Sequence, residues 1–380
     1  MINKIIITVT PIYSIPPKTA AAVESWMYNV GKRLEIDNRI VCIQNEGYSS
    51  HSDVNGYCAI ERIKFGKIYT RLFKKWTRLD PYSYADRIIN IKKKFAHDND
   101  DCVIFVHNNI KLFKKIIKKE GHQKVVLHMH NCFEPTGVPS DIKLIVPSQF
   151  MHDWYRERLP NALIEVVRNG FAADIYALPP EVKREDVGIN TDDKVILFAG
   201  RIARDKGLLE LMQACRIIFK DNPNYKLVIV GDPNAANKGE MADYQNEIKA
   251  YANYLGEQCI FLGGVHPEKI RHFYSVADVI AVPSITSEPF CMVALEAMAS
   301  GRPVIASQRG AMIEFITHNQ TGFIFKEPLT EKSMADDIFN ALNHPNAEEI
   351  ASAAKQYAYE NYTWEIVKDE LVSVINKWYP

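Results

Sequence analysis

Nothing in the 380 residues approaches the ~20 consecutive apolar positions that a membrane-crossing helix needs. The opening stretch, Met1–Pro11, is a short β-branched run closed by proline. It lacks the basic start, helical apolar core and small-residue cleavage site of a secretion signal. Both absences predict a chain that stays in the cytosol. The seven cysteines (Cys42, Cys58, Cys102, Cys132, Cys215, Cys259, Cys291) lie far apart, with no Cys-x-x-Cys pair. That spacing argues against a zinc ribbon or a redox motif, and an odd unpaired set suits a reducing compartment. Cys42, Cys102 and Cys259 sit in strand-like runs and read as small buried hydrophobes. There is no low-complexity tract and no collagen-like period.

Net charge is also missing: 46 Lys and Arg balance 46 Asp and Glu. The balance hides an asymmetry, because residues 1–160 carry 25 basic against 16 acidic side chains. A basic first half suits an anionic partner, whether phosphorylated acceptor, lipid surface or nucleic acid; chance surface composition is the alternative.

What is present is alternation. Apolar β-branched runs at Ile5–Val9, Arg39–Ile43, Ile60–Phe65, Val103–His107, Val125–His130 and Leu144–Pro147 are separated by helical patterns. A second series follows at Val195–Ala199, Leu227–Val230, Ile260–Leu262, Val279–Val282 and Val304–Ala306. Runs this uniformly apolar suit parallel strands covered on both faces. Between the first two, Val23, Trp26, Met27, Val30 and Leu34 trace one helix face. The chain therefore reads as α/β, with two Rossmann-like doubly wound domains, each of a size to hold its own core. The expected boundaries are 1–168 and 169–360. Residues after about 330 read as helices only, and the last, within 361–380, is expected to pack back on the first domain.

Doubly wound sheets bind ligands beyond the carboxyl ends of their strands, and the informative residues follow strands. After Val279–Val282 comes Glu288-Pro289-Phe290-Cys291-Met292-Val293, with Glu296 two turns into an expected helix Met292–Ala299. Its amino end offers N–H groups and partial positive charge to a diphosphate. Glu288 and Glu296 lie far enough apart to hold different hydroxyls of one ligand; the alternative is a cap and a solvated helix charge. After Val195–Ala199 comes Gly200-Arg201-Ile-Ala-Arg204-Asp205-Lys206-Gly207, neither a nicotinamide fingerprint nor a Walker loop. Its cations suit phosphate oxygens, or make an exposed basic turn.

His128-Met129-His130 ends a strand of the first half. His-x-His on a strand puts both rings on one face, so a metal must be weighed. Spacing alone supplies no third ligand, and His128 reads as a satisfied core histidine. Asp98-Asn99-Asp100 precedes its strand and reads as a solvated turn. Lys67, Arg71, Lys74, Lys75 and Arg78 around Leu72, Phe73 and Trp76, with Lys92–Lys94 and Lys111–Lys119, form basic helices. They suit an anionic membrane, or simply exposed helix faces. No recognisable nucleic-acid module accompanies them.

Taken together, Glu288, Glu296, Arg201 and Lys206 resemble the Glu-x7-Glu family of retaining GT-B glycosyltransferases, which includes sucrose synthase. That resemblance implies two Rossmann-like domains facing a cleft, a UDP-sugar substrate, and no cofactor or metal. It implies that Arg201 and Lys206 hold phosphate, Glu296 the ribose and Glu288 a donor-sugar hydroxyl. Backbone around Pro289, Phe290, Cys291, Met292 and Val293 would meet the sugar and β-phosphate. Asn169-Gly170 matches an interdomain turn, Gly200, Gly231 and Val265 fall on the donor side, and His130 matches a histidine near the reacting carbon. Thr19 and Ala20 stand where the family has Gly-Gly, beside an acceptor-side Glu24. That departure removes a glycine-only conformation.

Over its full length the chain is similar to lipopolysaccharide outer-core α-1,2-N-acetylglucosaminyltransferases of enteric bacteria. The segments Thr8-Val-Thr-Pro-Ile-Tyr-Ser-Ile-Pro-Pro, Arg71-Leu-Phe-Lys-Lys-Trp-Thr-Arg-Leu-Asp-Pro and Gly231-Asp-Pro with Lys238-Gly-Glu carry that similarity. It implies UDP-N-acetylglucosamine as donor, a lipopolysaccharide core acceptor, and work at the inner face of the inner membrane. A UDP-glucose or UDP-galactose transferase of the same pathway, or a non-catalytic nucleotide-sugar-binding protein, are the alternatives.

Overall fold

The computed structural model describes residues 2–9, 14–17, 22–45, 47–65, 83–96, 102–236 and 238–380. It divides the chain into two compact units, residues 1–169 with 364–380, and residues 170–363.

In the first unit the described strands are β1 (Lys4–Val9), β2 (Asp37–Ile43), β3 (His51–Asp53), β4 (Cys58–Ile63), β5 (Cys102–His107), β6 (Val125–His128), β7 (Lys143–Val146) and β8 (Leu163–Val166). Their sheet order is β3-β4-β2-β1-β5-β6-β7-β8, parallel throughout except that β3 runs antiparallel to β4. The helices are α1 (Ala22–Gly31), α2 (Tyr84–Phe95), α3 (Ile110–Glu120) and α4 (Gln149–Arg158). Ser83, Asn109 and Ser148 each accept a first-turn N–H at the start of the last three, the role short polar side chains serve there. The apolar runs become the core: every residue of β5 and β6 is buried.

The second unit contains β9 (Lys194–Ala199), β10 (Tyr225–Val230), β11 (Cys259–Gly263), β12 (Val279–Val282), β13 (Val304–Ala306) and β14 (Phe323–Ile324), in the all-parallel order β11-β10-β9-β12-β13-β14. Around them lie α5 (Ala173–Tyr176), α6 (Leu208–Phe219), α7 (Glu240–Leu255), α8 (Ile270–Tyr274), α9 (Met292–Ala299), α10 (Glu331–Leu342) and α11 (Ala347–Asn361). Separate apolar clusters fill the two faces of this sheet. Leu197, Val228 and Ile280 point to one, and Ile196, Ile229 and Ala281 to the other, the alternation expected of a pleated sheet covered on both sides.

The last helix, α12 (Trp364–Trp378), belongs to the first unit. Arg33 pairs with Glu365 at 2.7 Å, and Glu370 takes the Arg168 backbone N–H at 2.9 Å and its guanidinium at 2.6 Å. Trp364, Val367, Leu371 and Ile375 line its buried stripe.

Three strands escaped the sequence reading, and each is short or half-exposed. β3 covers an edge with polar residues, β8 has only one fully buried position, and β14 is two residues long. The run expected over Val125–His130 stops pairing at His128, leaving His130 just beyond the strand. Lys92, expected on a basic face, is buried in an ion pair with Glu120. Lys93, Lys94, Lys111, Lys115 and Lys118 do lie exposed on α2 and α3. Asp98–Asp100 and the basic stretch 67–78 fall outside the described residues.

Candidate active site

In the second unit the chain leaves β9 toward β10 on one side of the sheet, while β12 pairs with β9 on the other. The β9–β12 boundary is therefore the topological switch point, where a doubly wound sheet opens a crevice. The segments following these two strands are Gly200–Gly207 and Pro283–Glu288.

Gly207 brings them together. It has φ +67°, and a Cβ there would come within 2.0 Å of the Pro283 carbonyl oxygen, closer than any side chain could be accommodated. The Ile285 N–H donates to the Asp205 carbonyl at 3.0 Å, tying the two loops. Lys206 Nζ then reaches Glu288 Oε1 at 2.6 Å, and the Ser284 hydroxyl donates to the same oxygen at 2.6 Å. Glu288 is almost fully buried, while Lys206 keeps about a quarter of its side chain open at 23%. A buried carboxylate is tolerable only with partners of this kind. The lysine also stands 3.7 Å from Asp205 Oδ2, and its open quarter can face an anion.

The Glu288 backbone is fixed from the loop after β13. Its N–H donates to the Arg309 carbonyl at 3.3 Å, and its own carbonyl accepts from Ala311 N–H at 2.9 Å. Gly310, at φ +68°, allows this approach, because a Cβ there would lie 2.2 Å from the Glu288 carbonyl oxygen.

Helix α9 begins two residues after Phe290. Phe290 is buried and stacks on Phe315 at a centroid distance of 5.4 Å, anchoring the segment from Pro289. Cys291 adopts φ +76° at the cap and caps with no side-chain hydrogen bond. The first turn, Met292 and Val293, thus presents backbone N–H groups without a competing capping side chain, as an anion site requires. Glu296 lies further along, accepting from the Tyr274 hydroxyl at 3.0 Å. Burial raises its carboxyl to about 7, opposed by that hydrogen bond. It is therefore poised to change charge near neutrality.

Arg201 is exposed and reaches Asp205 at 3.3 Å, a surface pair worth little. Gly200 and Gly231 pack against each other, a Cβ on Gly231 falling 2.4 Å from the Gly200 carbonyl oxygen. Val265 is half-buried just past β11. These residues, with Lys206, Glu288, Pro289–Val293 and Glu296, all belong to one unit. His130 and Glu24 belong to the other. Glu24 is buried in the first turn of α1 with its carboxyl raised by burial, and Thr19 and Ala20 lie outside the described residues.

The first unit corrects one expectation. His128 is buried, yet it is not a satisfied histidine: neither ring nitrogen has a hydrogen-bond partner among the described residues. A third histidine, His107, comes from the neighbouring strand and pairs in register with His128. Ligand atoms of His107, His128 and His130 lie within 4.8 Å of one another. A twenty-residue sequence gap hid this neighbour; strand pairing supplies it.

Sequence reading also missed Ser284 and Tyr274. Ser284 directly follows a buried strand, which is a usable signal. Tyr274 sits in an ordinary helical pattern and carried none.

The chain is similar to several known proteins. The family model described as "Glycosyl transferases group 1" matches residues 180–361. The lipopolysaccharide 1,2-N-acetylglucosaminetransferase of Salmonella typhimurium is 46% identical over 380 residues, covering all of both chains. An uncharacterized glycosyltransferase of Methanocaldococcus jannaschii is 36% identical over 192 residues, 50% of this chain and 47% of its own. Among solved structures, sucrose-phosphate synthase from Thermosynechococcus elongatus superposes with a TM-score of 0.80 at 18% identity, covering 98% of each chain. Anabaena HepE in complex with UDP and glucose gives 0.74 at 20% identity, covering 98% and 99%.

Proposed function

The chain belongs to the group 1 glycosyl transferases, and from that premise we propose that it moves N-acetylglucosamine from UDP-N-acetylglucosamine to a lipopolysaccharide outer-core sugar, forming an α-1,2 linkage with retention at the donor carbon. The observation that carries the reading is the Lys206–Glu288–Ser284 cluster beside the amino end of α9 at the switch point. The relative that matches over the full length, named for that transfer, supports the choice of sugar and acceptor.

The diphosphate meets Arg201, Lys206 and the N–H groups of Met292 and Val293. Charge grows on the leaving UDP oxygen as the glycosidic bond breaks, and fixed donors at that point supply the main catalytic term. Glu288, held by Lys206 and Ser284, accepts from a sugar hydroxyl, and Glu296 accepts from the ribose. Gly200, Gly231 and Val265 line the nucleotide side, where small residues let the ligand approach backbone. The family resemblance gives His130 a role near the reacting carbon, and Thr19, Ala20 and Glu24 a role toward the acceptor. The acceptor's proton passes to the departing UDP oxygen as the new bond forms on the same face. Cations already neutralise the diphosphate, so the step needs no metal.

No helix among the described residues is long and apolar enough to cross a membrane. We place the protein in the cytoplasm, docking peripherally on the anionic inner membrane. The exposed Lys111, Lys115 and Lys118 lie on one face of α3, opposite its buried Leu112, Phe113 and Ile116, a pattern suited to acidic headgroups.

The test is UDP release by the purified protein offered UDP-N-acetylglucosamine, UDP-glucose or UDP-galactose, with and without truncated core lipopolysaccharide. Acceptor-dependent release from the first alone supports the proposal. Release from a hexose donor instead replaces the sugar, and donor binding without release from any replaces the enzyme by a binding protein.

A further inference from the structure

We propose that His107, His128 and His130 bind a divalent transition-metal ion of the zinc class. The site lies at the carboxyl ends of β5 and β6, in the first unit.

The backbone builds the arrangement. His107 ends β5 and pairs in register with His128 at the end of β6. Two residues on, His130 returns to the same face, its ring stacked on that of His128 at a centroid distance of 4.4 Å. Asn108, at φ +49°, turns the chain after β5, and its side-chain oxygen takes the His130 backbone N–H at 3.2 Å. Two histidines from one strand end and a third from its neighbour give a three-imidazole set of the kind that holds zinc with a fourth position open.

The nitrogens lack other work. His107 Nδ1 and His130 Nε2 share one hydrogen bond of 3.0 Å. Among the described residues, His107 Nε2 and both nitrogens of His128 have no hydrogen-bond partner, and these atoms are buried. Trp26 packs edge-on against His128 at 4.5 Å, but its indole N–H donates to the Arg168 carbonyl and satisfies none of them. Buried polar atoms left unpaired cost about 1–3 kcal/mol each, so native structures rarely keep them. Burial holds all three rings neutral, with His130 pushed down to about 3, which leaves lone pairs for a metal rather than protons. Two nitrogens on one tetrahedral zinc stand about 3.3 Å apart, so an ion can replace the proton shared by His107 and His130 with little movement. His130, 8% exposed where the other two are fully buried, marks the side of entry and of a fourth ligand. No carboxylate or thiolate joins the three among the described residues, which favours an ion that accepts imidazole alone over magnesium or calcium.

The test uses the full chain, stripped by a chelator and titrated with cobalt(II), then with zinc(II) against a chromophoric competitor. The expected result is one equivalent bound, with a cobalt spectrum of low coordination number and a zinc-dependent rise in melting temperature. His107→Gln and His128→Gln should each weaken binding more than tenfold and abolish the rise. His266→Gln, an exposed histidine of the other unit, should change nothing. Melting of the metal-free variants separates a lost ligand from a lost fold. Absence of saturable binding, or binding that survives in both triad variants, overturns the site. A second readout rests on the transfer reading: an ion on His130 competes with donor sugar, so zinc should slow UDP release and chelator restore it. Failure of that readout with binding intact counts against the placement of His130 in transfer and leaves the metal site standing.

Discussion

The two units present opposite chemistry at the carboxyl ends of their strands. Beyond β9 and β12 the second unit gathers charge, a lysine held by a carboxylate with a helix end nearby. Beyond β5 and β6 the first unit gathers three uncharged imidazoles around an indole. The family model lies wholly within the second unit, at residues 180–361. The family match thus falls on the unit that carries the charged cluster and leaves the histidine cluster outside it. On the proposed reading, the half that carries the histidines is the one that would meet the acceptor.

The comparison can be broken in several ways. The largest effect expected is from Lys206→Ala, which should lower turnover by about 10³-fold with the fold intact, read as UDP release alongside circular dichroism; a near-normal rate removes the phosphate role. Next is acid. The buried histidines are depressed below their ordinary 6.5, so their stabilisation is present above that pH and lost as pH falls. Each contributes up to about a tenfold shift in the unfolding equilibrium per pH unit. Glu296 is raised and acts in the opposite sense, favouring the folded state as pH falls from about 7 toward the ordinary 4.5. Denaturant melts at pH 7 and 5.5 should show a loss that His128→Gln reduces and Glu296→Gln enlarges.

His130→Ala should cost about a hundredfold in turnover while leaving UDP affinity unchanged, since it belongs to a different unit from the proposed phosphate-binding residues. Calorimetry showing weakened UDP binding would reassign it. Glu296→Gln should weaken UDP about tenfold. In the native protein, affinity should rise with pH up to about 7 and level off, because ribose hydroxyls favour the ionised carboxylate. The variant should lose that dependence. The smallest effect is from Lys115→Ala, about fivefold in co-sedimentation with anionic vesicles, with donor hydrolysis unaltered.

Much of this is legible in the sequence. The helix expected over Met292–Ala299 has those bounds, because Pro289 and Phe290 precede an uninterrupted helix-forming run. The terminal helix spans Trp364–Trp378, where one apolar face repeats without a breaker. Edge strands were not legible, since β3 and β14 lack the buried run by which the others announce themselves. Lys92 looked like its neighbours Lys93 and Lys94, and only the packing of α2 against α3 sends it inward to Glu120.

The sequence by itself determined the two-fold α/β alternation, the strand ends at which chemistry gathers, and the residues Glu288, Glu296, Arg201 and Lys206. These are matters of local pattern, where hydrophobic period and short spacing carry the information. Tertiary structure alone decided that Lys206 meets Glu288 across 82 residues, that Tyr274 reaches Glu296, and that His107 stands beside His128 and His130. Such pairs depend on strand order and register, which parallel crossovers set over long separations and which no local spacing records.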